Sequence, residues 1–124
     1  MAEQFNNAPA PSREEFQNLA DHLANYGKVV SNGNVQTNHL YCLIMTDNSI
    51  TGGKFNVLYN TFDNSGGFYF SMVFSNGNNI FTCSASVSLN NGTLSLQNAY
   101  RSDNASVGSQ TTWNVAITGI RQIV

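Results

Sequence analysis

Asn-Gly occurs three times in this chain, at 32–33, 76–77 and 91–92, between short runs rich in apolar and hydroxyl side chains. The pair is the strongest short-range hairpin signal, because a type I′ turn needs positive φ at both central residues. Reading outward from such turns divides residues 28–124 into about seven short strands, at 29–30, 35–46, 54–62, 68–74, 80–89, 93–101 and 111–124. The connectors are SNGN, DNSITGG, DNSGG, SNGNN, NNG and SDNASVGSQ. No helix separates one strand from the next, and parallel pairing needs such crossovers. The expected fold is mainly β: a short N-terminal helix, then an antiparallel, jelly-roll-like β-sandwich or barrel.

Alternation sets the two faces of several strands. Phe81, Cys83, Ala85, Val87 and Leu89 face one way, with Thr82, Ser84, Ser86 and Ser88 opposite, which describes a half-buried strand. Leu94, Leu96, Trp113, Val115 and Ile117 are further inward positions. Phe68, Phe70, Met72 and Phe74 share a core face, so Tyr69 points outward beside Ser71, Val73 and Ser75.

Ahead of the strands lies one helix, expected over 12–27. Ser12 and Glu15 have capping-box spacing, Glu14 and Glu15 suit the positive end of the helix dipole, and Gly27 is placed for a left-handed C′ position. Phe16, Leu19, Leu23 and Tyr26 are spaced 3-4-3, the seam of a coiled coil, and Ala20 and Ala24 widen it. About four turns of helix are marginal alone in water, so the stripe must be covered. The head of the same chain could cover it, or the same stripe on neighbouring copies. The seam spacing, the N-terminal position and the short link into the first strand favour neighbouring copies. Three segments result: an extended arm at 1–11, the helix at 12–27 and the β head at 28–124.

Charge excludes several partner classes. Only 10% of residues are charged, against roughly 25% in soluble domains, and solubility rests on Asn, Ser, Thr and Gly. Arg13, Lys28, Lys54, Arg101 and Arg121 are scattered, leaving no cluster to neutralise phosphates, so nucleic-acid binding is not expected. No apolar run approaches the roughly 20 residues of a membrane span, so no membrane insertion is expected. MAEQFNNAPAP lacks the basic and apolar regions of a signal peptide. Cys42 and Cys83 read as two buried thiols acting as small hydrophobes, able to pair only if their strands are neighbours.

Site candidates are few. Asp47-Asn48, Asp63-Asn64 and Asp103-Asn104 all fall at strand connections, where they could contact a ligand such as a sugar or calcium. Turn-forming Asx bonds explain the same residues more simply. Tyr69 could stack on a sugar ring or meet a protein. His22 and His39 have no nucleophile or carboxylate at useful spacing, and neither GxSxG nor HExxH occurs. Neither an enzyme nor a cofactor or metal is expected.

The polar arm, the capped helix SREEFQNLADHLANYG, the Asn/Ser/Gly-rich β head and the closing WNVAITGIRQIV together resemble bacteriophage head fibres, capsid-decoration proteins and tail-fibre tips. That resemblance covers the architecture of the whole chain and implies a virion protein. It further implies a homotrimer, an arm anchored to a capsid or tail protein, and a head that touches host glycans or another surface receptor. A free-standing carbohydrate-binding module with a β-sandwich is the alternative reading.

Overall fold

A computed structural model describes residues 12–103 and 110–124. Among the described residues one helix, α1 (Arg13–Leu23), precedes eight strands. These are β1 (Lys28–Val29), β2 (Leu40–Asp47), β3 (Lys54–Asn60), β4 (Gly67–Asn76), β5 (Asn79–Asn90), β6 (Thr93–Asp103), β7 (Thr111–Thr112) and β8 (Val115–Gln122). They form two four-stranded sheets ordered β1-β8-β2-β3 and β4-β5-β6-β7, and every pairing is antiparallel. This is the expected mainly-β sandwich. Its second sheet is a plain meander, a simpler connectivity than the paired Greek keys of a jelly roll. In the first sheet β8 lies between β1 and β2.

The core fills the space between the sheets. Tyr41, Leu43, Met45, Phe55, Tyr59 and Ile120 from the first sheet meet Phe70, Cys83, Ala85, Val87 and Leu94 from the second. Trp113 is buried among Phe55, Phe70 and Phe74, with ring centroids 5.8–6.0 Å away. Such offset and edge-on contacts are the favoured aromatic arrangements. Buried Tyr hydroxyls find partners: that of Tyr41 accepts from the Gln36 amide at 2.8 Å, and that of Tyr59 donates to the Asn64 carbonyl at 2.7 Å. Among the described residues no buried side-chain polar atom lacks a partner.

Several boundaries differ from the sequence expectation. Residues 35–39 are not strand, although Val35 is buried there. The expected strand 111–124 is two strands in different sheets, because the chain crosses the sandwich at Trp113 and Asn114. The helix is three turns, not four: Ala24 is its C-cap in right-handed geometry. Gly27 is therefore not a left-handed C′ residue. It is glycine because a Cβ there would stand 2.7 Å from the Gln122 carbonyl oxygen and 2.9 Å from the Arg121 Cβ. At the other end the capping box forms, with the Ser12 hydroxyl accepting from the Glu15 amide at 3.1 Å.

Only one Asn-Gly pair occupies both centres of a hairpin turn with positive φ, at Asn91 (50°) and Gly92 (82°). In the β4–β5 hairpin Asn76 pairs with Asn79, so Gly77 and Asn78 are the central residues. Asn32 makes no hairpin: its side-chain amide donates to the Leu94 carbonyl at 2.9 Å and its oxygen accepts from the Leu94 amide at 2.7 Å.

Candidate functional site

Two surfaces carry unspent chemistry, the exposed flank of α1 and the outer face of the second sheet. The helix lies on the outer face of the first sheet through its alanines. Ala20 and Ala24 are buried, and the Cys42 thiol donates to the Ala20 carbonyl at 3.5 Å. Asn56 on β3 donates to the Asp21 carboxylate at 2.8 Å, and Gln17 reaches the Asn56 carbonyl at 3.4 Å. Small side chains let the helix approach closely, which turns the larger ones outward. Phe16 is 50% exposed and Leu19 48%, while Leu23 is half-buried. Tyr26 lies beyond the helix end, 72% exposed, with its ring 4.4 Å from that of His22. Of the four residues expected to form a seam, Phe16 and Leu19 are exposed on the helix, Leu23 is half-buried, and Tyr26 lies past the last turn. A groove of roughly 190 Å³ runs beside the helix, where Phe16 and Gln17 meet Asn56, Leu58 and Met72.

The outer face of the second sheet is a field of hydroxyls with four large apolar or aromatic side chains. Pairing places Tyr69 beside Ser86 and Gln97, then Ser71 beside Ser84, Tyr100 and Thr112. Val73, Thr82 and Ser102 form the next row. Tyr69 is 64% exposed and Tyr100 42%, with Val73 and Ile80 about half exposed. No Asp, Glu, Lys or Arg stands among these face positions.

Tyr100 was not assigned to this face from the sequence, because strict alternation from Leu94 and Leu96 turns it inward. A bulge reverses the phase: Ser84 pairs with Tyr100 but Ser86 pairs with Gln97. The extra residue is absorbed with Asn98 at φ 54°. Ala99 then packs on the core, and Arg101 sits with its guanidinium 5.6 Å over the Phe81 ring. Asn in the stretch QNAY is the one sequence signal that could have marked it, since Asn tolerates left-handed geometry.

The three Asp-Asn pairs are not brought together as one site. Asp47 is fully buried, which corrects the expectation of a ligand-contacting loop residue there. Its carboxylate accepts from the amides of Ser49 (3.1 Å), Ile50 (3.2 Å) and Thr51 (2.9 Å), and from the Trp113 indole at 3.0 Å. Burial pushes this carboxyl up, but the amides of Thr51 and Ser49, the indole and the Ile50 amide outweigh burial and hold it below its ordinary value. Asn48 is exposed, its amide bonded to the Asn114 carbonyl at 2.8 Å. Asp63 and Asn64 are exposed in the β3–β4 turn, where Asp63 accepts from Asn60 at 3.2 Å. Asp103 ends β6, half-buried, and Asn104 lies outside the described residues.

The thiols are in different layers, Cys42 under the helix and Cys83 between the sheets, and both are free. Desolvation pushes each up to about 11, with Asp21 adding for Cys42 and Asp47 for Cys83. His39 faces the Val124 carbonyl at 3.0 Å and the edge of Tyr41. Among the described residues no group of three His, Cys, Asp or Glu side chains could hold a metal ion, and no helix is long and apolar enough to cross a membrane.

No protein-family model, curated protein or solved structure matches this chain.

Proposed function

We propose that this chain is a non-enzymatic virion protein of the fibre or decoration type, associating as a trimer through its helices and presenting the β head for adhesion. One observation carries the reading: α1 is held to its own head by Ala20 and Ala24, and Phe16 and Leu19 remain turned outward. Large apolar side chains at i and i+3 on a firmly docked helix are a preformed contact surface, because the cost of ordering the helix is already met within the chain. In this reading residues 1–11, which precede α1 in the sequence, serve as the anchor to a capsid or tail protein.

The test is mass in solution. Light scattering at micromolar concentration is expected to give three times the 13.5 kDa chain mass. Leu19→Asp should return it to one, and a monomer in the unaltered protein refutes the proposal. Leu19 is the better choice than Leu23, whose side chain is already half-buried within the chain.

A second reading, a free-standing carbohydrate-binding module, is favoured by the docking of α1 on its own sheet, which leaves the head complete without neighbours. It expects a monomer with selective glycan binding.

A further inference from the structure

The outer face of the second sheet has the chemistry of a platform for an uncharged glycan. We infer that Tyr69 and Tyr100 are its two stacking residues, and that the ligand is a neutral oligosaccharide of about three linked pyranose rings lying across β4, β5 and β6. The inference rests on the adhesion reading above and names the face and the ligand class.

Three observations support it. First, Tyr69 and Tyr100 stand two strands apart and one residue pair out of line, which their shared neighbours on β5, Ser86 and Ser84, make explicit. Strand spacing of about 4.8 Å and a rise of about 3.4 Å per residue place their Cα atoms roughly 12 Å apart. Two rings at that spacing engage two separate sugars of one chain and leave room for another between them. The C–H face of a pyranose stacks on an aromatic ring while the phenol hydroxyl stays available for hydrogen bonding.

Second, the ground between the tyrosines is Ser71, Ser84, Ser86 and Gln97. Hydroxyl and amide groups both donate and accept, which matches sugar hydroxyls that do the same. Protein-binding surfaces share the enrichment in Tyr and the lack of charge but are depleted in Ser at their centres, so it is the serine ground between the tyrosines that speaks for a sugar over a protein.

Third, among the described residues no carboxylate, ammonium or guanidinium group stands at these face positions. An anionic or cationic ligand would lose hydration there without gaining a counter-charge, whereas an uncharged one loses little. Electrical neutrality on this side is therefore a selectivity element.

The experiment uses the full chain with cello-, malto- and chito-oligosaccharides of one to six rings, and a heparin hexasaccharide as the charged comparator. Binding is followed by calorimetry and by amide NMR shifts. At least one neutral series is expected to bind, with affinity rising tenfold or more between one ring and three. Shifts should fall on 69–75, 82–88 and 95–102. Tyr69→Ala and Tyr100→Ala should each weaken binding about tenfold, the Phe variants far less. Both tyrosines are exposed, and unchanged thermal unfolding verifies that the variants fold.

Several results overturn the inference: no binding by any neutral series, tighter binding of heparin, shifts on another surface, or unaltered affinity in both Ala variants. Shifts on this face that vary with protein concentration alone also overturn it, since a second copy is then the occupant. Mass measured in the same samples separates the two claims. A trimer that binds no glycan refutes the platform only, and a monomer that binds it refutes the helix-mediated assembly only.

Discussion

Removing the Asp47 carboxylate should cost a large part of the stability of this domain. That side chain ties the end of β2, the loop that follows and the sheet-crossing Trp113 to one pair of oxygens. In Asp47→Ala the Ile50 amide and the Trp113 indole lose their partner in buried surroundings, at about 1–3 kcal/mol each. The amides of Ser49 and Thr51 are only part-buried and recover water, so they add less. A total of about 3–5 kcal/mol results, against about 5–15 kcal/mol for a whole domain. Urea unfolding followed by Trp113 fluorescence reads this directly. Asp47→Asn separates charge from shape, since its amide must turn a donor toward groups that are themselves donors. It should fall within about 1 kcal/mol of the Ala variant. The acid limb gives an independent check. Because the folded carboxyl titrates below its unfolded value, its contribution is fully present above about pH 4 and fades as pH falls through the folded value. Asp47→Asn should therefore lose less stability between pH 5 and pH 2 than the parent. A cost below about 1 kcal/mol for Asp47→Ala, or an unchanged acid limb in Asp47→Asn, would refute the reasoning.

Other perturbations probe the remaining contacts. Native protein at pH 8 should leave both thiols unreactive toward a disulfide reagent, as both titrate near 11, whereas Ala20→Arg should lift the helix and expose Cys42 alone. Titration of one thiol per chain is the expected reading, and reaction of Cys83 would contradict the layered placement. Gly27→Ala should lower stability by about 1–3 kcal/mol in thermal unfolding, since its Cβ would meet backbone and side-chain atoms of 121–123. Asn98→Val should cost about 1–2 kcal/mol because a β-branched residue resists φ 54°, while Asn98→Gly should be nearly neutral in the same assay.

Much of the sandwich was legible from period-2 alternation. In β5, the inward set Phe81, Cys83, Ala85, Val87 and Leu89 is the core face that the structure has. Alternation fails where the chain does something a period cannot encode. Trp113, Val115 and Ile117 remain in phase across the change of sheet, so a run that looks like one strand is two. At Asn98 a single inserted residue reverses the phase, and with it the position of Tyr100. The helix was legible at its start, where the cap is local in sequence, and not at its end. What Gly27 needs room for is the distant strand end at 121–123. Asp47 read as a turn residue, and its Asx-type bond to the Ser49 amide bears out that simpler reading, while its partner Trp113 lies 66 residues away.

The interior place of β8 sets a timetable for the nascent chain. The β4–β7 meander joins sequence neighbours and can close as soon as its own residues have emerged. The first sheet has to hold a slot between β1 and β2 until the last strand arrives. At translation rates of about 5–20 residues per second, the stretch from β2 to β8 takes roughly 4–16 s to synthesise. Throughout that interval the apolar faces of β2 and β3 lack their finished sheet, so the time spent on the ribosome is when this protein most needs protection from its neighbours.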